Sequence, residues 1–330
     1  MLDLDPDKDY ALVAGSSGIH IYDLSDGSEV ERLSHPFGTY YGGIVLRAPD
    51  SIDPTLRPEW LIFYSDRNRI NLSRYNGDSQ EWGMTRLIPG NSSTISDLVI
   101  GPTDANGHDT DFVSVDYGTD TIDYWAWNAE TSFWGNSSTA IRTRGIWDTR
   151  DDRSRTAISI AGGFGSTAAL VLVSPGLGEN GELWTFNPHQ THDENDDRFI
   201  GTVGLAPQPI RCMLGICVVA NFGENTITTV RWISANNVPV IVDTQQVGAA
   251  PLGIDLIPNP SGNGILALTA GWESGDYTVT EINENAQVTS SNTISLSDCI
   301  NPGFAHFTDG DGSHVMVTCS GSDKVVIVPR

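Results

Sequence analysis

The stretch Cys217-Val-Val-Ala-Asn-Phe-Gly-Glu-Asn-Thr-Ile-Thr-Thr-Val230 consists of an apolar strand, a turn of Phe, Gly, Glu and Asn, and a second strand. Its β-branched residues and period-two alternation favour strands over helices. Six more stretches repeat this arrangement: Tyr10–Tyr22, Trp60–Leu72, Asp111–Trp127, Ala168–Phe186, Ile265–Ile282 and His314–Val328. The second strands, marked at Ile19, Ile70, Ile122, Leu183, Ile227, Val279 and Val325, follow at steps from 44 residues (183 to 227) to 61 residues (122 to 183). A strand-built repeat of about 40–50 residues predicts an all-β, seven-bladed β-propeller.

The repeat divides the chain into seven units, which we expect to form one domain over residues 1–330. The predicted blades are antiparallel and four-stranded, at approximately 1–34, 40–89, 95–140, 156–204, 207–245, 250–297 and 301–330. The last blade is expected to have three strands, because the sequence stops after its third strand and Leu2–Asp5 aligns with an innermost strand. In the third unit, Phe133–Ala140 is the predicted fourth strand. Residues 141–155 are expected to form an arginine-rich insertion, with Arg142, Arg144, Arg150, Arg153 and Arg155.

Acidic residues outnumber basic ones, 42 against 18, for a net charge of −24. A field of this sign repels phosphate groups, so it argues against nucleic acid and anionic membrane surfaces as partners. The acidic residues are scattered through turns, where their simplest role is to keep the surface solvated. No apolar run reaches the ~18 residues of a spanning helix, and no leader is visible at Met1. We expect no membrane insertion, and either a cytoplasmic protein or a mature form without its leader.

The four cysteines fall into two pairs, Cys212 with Cys217 and Cys299 with Cys319. Cys212 and Cys217 lie on predicted adjacent strands, whereas Cys299 precedes the innermost strand of the last unit and Cys319 ends the strand beside it. In both cases adjacent antiparallel strands bring the two sulfur atoms within bonding reach. We therefore predict two disulfides and an extracytoplasmic protein, secreted or periplasmic, whose leader is not part of this sequence. The alternative is four buried thiols in a reducing cytosol.

Two of the repeats, Cys217–Val230 and Val317-Thr-Cys-Ser-Gly-Ser-Asp-Lys-Val-Val-Ile-Val328, resemble those of YVTN-type and lactonase-like seven-bladed propellers. The third unit, with Asp97-Leu-Val-Ile-Gly101 and Asp111-Phe-Val-Ser-Val115, is also similar to FG-GAP/VCBS repeats. The first resemblance implies a lactone hydrolase, a muconate-cyclising enzyme, a lyase or a binding scaffold, and the fold does not choose among them.

The FG-GAP-like resemblance implies a calcium ion, since such repeats hold one in an Asp-rich loop of hard oxygen ligands. The residues with matching types and spacing are Asp104, Asn106, Asp109 and Asp111. Asp309 and Asp311, before Gly312, have a comparable spacing. The alternative is ordinary hairpin chemistry, because tight turns need the same residue types for backbone reasons. The sequence requires no cofactor, and calcium is the one candidate.

Propeller ligands meet the mouth of the central channel, where innermost strands begin and second-to-third-strand turns converge. Aromatic and arginine side chains there can stack a ring or sugar and pair with a carboxylate. The alternative is that the aromatic residues pack between blades and the arginines neutralise nearby acids. The candidate ligand-binding residues are Tyr40, Tyr41, Arg67, Tyr117, Arg144, Trp147, Phe222 and Trp272, with His35 beside them.

Two functions fit these residues. The first is a monomeric recognition module that binds a small acidic or sugar-like ligand, or another protein, at the channel mouth. The second is a lactonase, cyclase or lyase that acts on a sugar acid or lactone at the same place. In that enzyme, a carboxylate or His35 is the candidate general base, and Arg144 stabilises the developing negative charge.

Overall fold

The computed structural model describes residues 2–4, 10–15, 18–33, 40–47, 60–66, 69–76, 81–88, 95–100, 112–116, 121–125, 127–128, 133–134, 141–143, 156–162, 169–174, 179–186, 198–232 and 238–330. Within these ranges every regular element is a β-strand, which confirms the all-β prediction. Over the same ranges, no helix has the length and apolarity needed to cross a membrane. The strands lie in two compact units, Met1–Asp148 with Pro188–His192 and Thr149–Asn187 with Asp193–Arg330.

The first unit contains, in its described ranges, three antiparallel sheets of four strands and one hairpin. The first two sheets are ordered β1-β2-β3-β4 and β5-β6-β7-β8, and the third is ordered β14-β11-β10-β9. Strands β12 and β13 form the hairpin. Their bounds are β1 (Leu2–Leu4), β2 (Tyr10–Gly15), β3 (Gly18–Asp23), β4 (Glu29–Leu33), β5 (Tyr40–Arg47), β6 (Trp60–Asp66), β7 (Arg69–Asn76), β8 (Glu81–Ile88), β9 (Ile95–Ile100), β10 (Phe112–Asp116), β11 (Thr121–Trp125), β12 (Trp127–Asn128), β13 (Phe133–Trp134) and β14 (Ile141–Thr143).

Within its described ranges, the second unit contains three four-stranded sheets, β15 to β18, β19 to β22 and β23 to β26, and a final sheet, β27 to β29. Each is antiparallel and follows chain order, and the last sheet has the predicted three strands among the described residues. The strands are β15 (Thr156–Gly162), β16 (Ala169–Ser174), β17 (Asn180–Phe186), β18 (Arg198–Leu205), β19 (Pro207–Met213), β20 (Ile216–Asn221), β21 (Thr226–Arg231), β22 (Val240–Gln246), β23 (Pro251–Pro258), β24 (Ile265–Gly271), β25 (Asp276–Ile282), β26 (Val288–Ser295), β27 (Pro302–Phe307), β28 (His314–Cys319) and β29 (Lys324–Pro329).

The third sheet differs from the prediction in its fourth strand. The outer strand is β14, which pairs with β11, and the described part of the predicted strand, Phe133–Trp134, is not in this sheet. Phe133–Trp134 instead pairs with Trp127–Asn128, because a local hairpin closes over a short connection before the chain returns to the sheet. The first three residues of the predicted arginine-rich segment, Ile141–Thr143, therefore belong to a sheet.

The core of the second unit lies between consecutive sheets. Strand β20 is buried along its whole length, and its side chains alternate between two clusters. Cys217 and Val219 pack with Leu172 and Trp232 on one side, whereas Val218 packs with residues of the next sheet on the other. This burial on both faces explains the continuous apolar runs. The first strands also lie side by side, β15 beside β19, β19 beside β23 and β23 beside β27.

Candidate functional site

Three links and three turns of the second unit meet at one end of their sheets, which we call the loop side. The links are residues 204–206, 248–250 and 299–301; they lead from one sheet to the next, and the first of them includes the last two residues of β18. The turns are residues 222–225, 272–275 and 320–323, and they join the second and third strands. In each pair, the first turn residue donates its backbone N–H to the last link residue: Phe222 to Ala206 (3.2 Å), Trp272 to Ala250 (3.1 Å) and Ser320 to Asn301 (3.2 Å).

The second residue of each turn makes an equivalent bond to the middle residue of the link: Gly223 to Leu205 (3.0 Å), Glu273 to Ala249 (3.2 Å) and Gly321 to Ile300 (2.9 Å). The accepting residue that ends each link has a positive φ: 45° at Ala206, 56° at Ala250 and 51° at Asn301. A proline follows it each time, at Pro207, Pro251 and Pro302. Non-glycine residues adopt such φ values only where their surroundings hold them, so each link is fixed by its turn.

In the three sheets β19 to β22, β23 to β26 and β27 to β29, the end of the second strand lies against the first residue of the link. We call this place the clasp position. The strand residues are Asn221, Gly271 and Cys319, and they pair with Pro207, Pro251 and Pro302. The link residues are Gly204, Gly248 and Cys299. The same place in three consecutive sheets is therefore filled by three different chemical groups.

In the sheet β19 to β22, the buried side chain of Asn221 occupies the clasp position. Its Oδ1 accepts the backbone N–H of Gly204 at 3.1 Å, and its Nδ2 donates to the hydroxyls of Thr226 and Thr228, each at 2.9 Å. Asn221 is 0% exposed. One amide thus joins the link, the end of β20 and the start of β21.

In the sheet β23 to β26, Gly271 has no side chain, and the carboxylate of Asp276 fills the space. A side chain at Gly248 or Gly271 would collide with Oδ1 of Asp276, so this close approach requires both glycines. The N–H of Gly248 donates instead to the hydroxyl of Thr278, at 3.0 Å. Oδ1 of Asp276 is buried and has no hydrogen-bond partner among the described residues. Burial raises the pKa of Asp276, against a lowering by the hydrogen bond with Ser274.

We expect Asp276→Asn to stabilise the protein by about 1 kcal/mol at pH 7, because it removes a buried negative charge whose Oδ1 has no hydrogen-bond partner among the described residues. The folded-state pKa of Asp276 is raised, so the carboxylate's cost is absent below the unfolded pKa of about 3.9 and grows as pH rises through the folded pKa. Denaturant unfolding at pH 4 and pH 7 measures this difference. The exposed Asp298 is the control: Asp298→Asn should change stability little at either pH, whereas an equal gain from both variants contradicts the explanation.

In the sheet β27 to β29, a disulfide between Cys299 and Cys319 occupies the clasp position, with 5.0 Å between the Cα atoms. The second disulfide joins Cys212 to Cys217, which face each other across the β19–β20 hairpin. Both predicted disulfides are confirmed.

Two of the candidate ligand-binding residues, Phe222 and Trp272, stand at the same position of neighbouring turns, and both are partly exposed. The carbonyl of Trp272 accepts Nδ2 of Asn301 at 3.2 Å, and its ring lies against Gly303 of the next sheet. Their role in binding stays a prediction. Tyr40 and Tyr41 begin β5. The other candidates lie outside the described residues: His35, Arg67, Tyr117, Arg144, Trp147, and the calcium candidates Asp104, Asn106, Asp109 and Asp111.

The described Asp309–His314 turn satisfies its own carboxylates. The N–H of Ser313 donates to Asp309 (2.7 Å) and to Asp311 (2.9 Å), and the Ser313 hydroxyl donates to Asp309 (2.7 Å). Burial acts to raise the pKa of Asp309, but the hydrogen bonds of Ser313 and His314 lower it to about 2. Within the described ranges, no group of three or more His, Cys, Asp or Glu side chains could hold a metal ion.

A row of polar residues on the first strands escaped the sequence reasoning. Arg211, Asp255 and His306 occupy the same register position on β19, β23 and β27, opposite Val218, Leu268 and Met316. We call these three residues the polar row. Asp255 and His306 keep side-chain exposures of 22% and 17%, although the residues on either side of each in the chain are buried. One polar residue between apolar neighbours on each innermost strand was the signal available in the sequence.

Asp255 is held in place by its neighbours. Its Oδ2 accepts the N–H of Phe307 at 2.8 Å and lies 3.5 Å from Nδ1 of His306, and its Oδ1 accepts the N–H of Leu256 at 2.9 Å. Burial pushes the pKa of Asp255 up, but His306 and the two backbone N–H groups outweigh it and lower the pKa. Nη1 of Arg211 donates to the carbonyl of Ile210 at 2.9 Å. The row therefore offers a carboxylate–imidazole pair and a guanidinium.

No protein-family model and no curated protein sequence matches this chain. Several solved structures are similar to it over nearly the whole chain. The β-propeller domain of Cps50 (Swd1) from Myceliophteria thermophila has a TM-score of 0.67 and 10% identity, covering 100% of this chain and 96% of that one. Hydrazine synthase from Kuenenia stuttgartiensis has a TM-score of 0.65 and 10% identity, over 100% and 94%. The periplasmic gluconolactonase of Pseudomonas aeruginosa has a TM-score of 0.63 and 12% identity, over 97% and 92%. The predicted β-propeller fold is confirmed, and the number of blades stays a prediction.

Proposed function

We propose that the protein is a recognition module whose loop side binds a small acidic or sugar-like ligand. The observation that carries the proposal is the pair of partly exposed aromatic side chains, Phe222 and Trp272, on turns that make equivalent hydrogen bonds to their links. Because links and turns fix each other, the two rings are held by rigid backbone. A preorganised aromatic surface loses little conformational freedom when a flat ligand stacks on it.

The polar row supplies charge below this surface. It lies three residues along the strands from the clasp position, which is about 10 Å in an extended chain. A ligand that stacks on the aromatic rings can therefore extend a carboxylate or hydroxyl toward Arg211 and His306. The two disulfides support an extracytoplasmic location, where such bonds persist.

Ligand-shift melting tests the proposal, with gluconate, glucono-1,5-lactone and calcium chloride as the probes. A compound that binds the folded state raises the melting temperature. We expect Trp272→Ala to weaken binding of the responding compound about tenfold, because it loses the stacking contact. Phe199 is 46% exposed on β18, away from the loop side, so Phe199→Ala is the matched control. Undiminished binding by Trp272→Ala and Phe222→Ala together would contradict the proposal.

Hydrolysis of a sugar lactone is a second candidate function, and the Asp255–His306 pair favours it. A carboxylate that positions an imidazole lets the imidazole take a proton from water as it attacks the lactone carbonyl. Arg211, on the neighbouring strand, could then meet the developing negative charge. Acid release from glucono-1,5-lactone distinguishes the two functions: turnover above the spontaneous rate that His306→Gln abolishes favours the enzyme, and saturable binding without turnover favours the recognition module.

A further inference from the structure

Strand β29 is unusually exposed for a third strand. In the two preceding sheets, the third strands β21 and β25 are almost entirely buried, and a fourth strand pairs with the outer edge of each. Strand β29 has no such neighbour among the described residues. By register, Ile327 corresponds to Thr229 and Val279. It is 45% exposed, whereas Thr229 is 0% and Val279 is 6% exposed.

The composition of β29 is typical of a strand that pairs with a neighbour on both edges. Its sequence, Lys324-Val-Val-Ile-Val-Pro329, has four consecutive β-branched apolar residues. Val326 and Val328 pack against the core cluster shared with the preceding sheet, and Tyr277 of that sheet donates its hydroxyl to the carbonyl of Pro329 at 3.2 Å. The strand is thus firmly placed, while its outer edge presents a row of backbone donors and acceptors. An apolar edge of this kind is a template for pairing with another strand.

The charges on β29 select the strand that would pair with it. Lys324 begins the strand and Arg330 follows it, and the segment 324–330 has no acidic residue in a chain of net charge −24. A second copy of β29, paired antiparallel, would place Lys324 near Arg330 of the other molecule at both ends. Like charges in such positions are destabilising, so self-pairing is disfavoured. An acidic residue at each end of the incoming strand is favoured instead.

The preceding sheet contains a strand with these features. Strand β26 pairs antiparallel with β25 from Asp276 opposite Ser295 to Ile282 opposite Val288. Its Ile294, with Leu296 just beyond its end, packs against the core. Acidic residues flank it on both sides, at Glu284 and Asp298. On β29, the same register would bring the Asp298 end of such a strand toward Lys324 and the Glu284 end toward Arg330.

We propose that the free edge of β29 binds an extended segment of a partner protein by antiparallel strand addition. The segment is seven or eight residues long, like the fourth strands β22 and β26 of the two preceding sheets, and carries an acidic residue at each end. Main-chain hydrogen bonds to β29 provide affinity, and the flanking charges set its direction and register. This surface is separate from the aromatic residues of the loop side.

A synthetic peptide with the sequence of residues 284–298 is the probe, labelled at one end for fluorescence anisotropy with the 330-residue chain. A second peptide replaces both acidic ends with lysine, and a third is N-methylated at alternate residues of the strand. We expect the acidic peptide to bind about tenfold more tightly than the lysine peptide at low salt, and the N-methylated peptide to lose binding. In the Lys324→Glu, Arg330→Glu double variant, the preference between the first two peptides should reverse. Amides of β29 should exchange more slowly with the acidic peptide bound.

Three results would overturn the proposal. One is no binding of the acidic peptide up to about 1 mM. Another is equal binding of the N-methylated peptide, since it cannot form the main-chain bonds. The third is dimerisation of the chain alone, measured by sedimentation, with β29 amides protected in the dimer, because β29 would then pair with itself. Both substituted residues are exposed, so the double variant should fold, and its circular dichroism checks this.

Discussion

Removal of the Cys299–Cys319 disulfide, by changing both residues to alanine, is expected to lower the free energy of unfolding by about 3 kcal/mol. The bond closes a loop with a sequence separation of 20 residues, and opening such a loop restores chain entropy to the unfolded state. Both cysteines are also buried, at 5% and 0% exposure, so their loss leaves the clasp position of the sheet β27 to β29 empty. Urea unfolding followed by circular dichroism measures the effect.

The second disulfide is the matched control. Cys212 and Cys217 are separated by only 5 residues, so the same pair of substitutions there should cost about 2 kcal/mol. Their hairpin is also held by its own turn, where Leu214 and Gly215 have positive φ values of 49° and 79°. A larger loss from the 212/217 variant than from the 299/319 variant would contradict this ranking.

Asn221→Ala is expected to lower the free energy of unfolding by about 2–4 kcal/mol. The substitution removes the acceptor for the N–H of Gly204 and the donor for the hydroxyls of Thr226 and Thr228. These groups are buried, and a buried polar group left without its partner costs more than a typical hydrogen bond contributes. The same unfolding experiment measures the loss.

Asn292, exposed in the middle of β26, provides the control, and Asn292→Ala should change stability by at most about 0.5 kcal/mol. A loss below about 1 kcal/mol for Asn221→Ala would mean that water takes over its bonds, so that the amide is not the clasp of this sheet.

Local features were predictable where their cause lies within a few residues. Strand β20 and its turn follow from the alternation and the Asn-Phe-Gly-Glu-Asn segment, and the predicted stretches Ile265–Ile282 and His314–Val328 begin where β24 and β28 begin. Both cysteine pairs were predictable, since Cys212 and Cys217 lie on neighbouring strands and Cys299 comes just before the strand that pairs with the strand of Cys319. The third sheet of the first unit was not, because Phe133–Trp134 pairs with Trp127–Asn128 in a hairpin and Ile141–Thr143 takes the edge beside β11. No local pattern decides which of the two segments takes that edge.

By itself, the amino-acid sequence determined the all-β fold, the repeat and the disulfide pairs, because alternation, turn residues and strand adjacency act over short distances along the chain. Only the tertiary structure decided that Asn221, Asp276 and the Cys299–Cys319 bond occupy the same place in successive sheets. It also decided that Asp255 meets His306, and that β29 keeps a free edge among the described residues. These contacts join residues on different strands or sheets, and strand register and sheet packing set which of them meet.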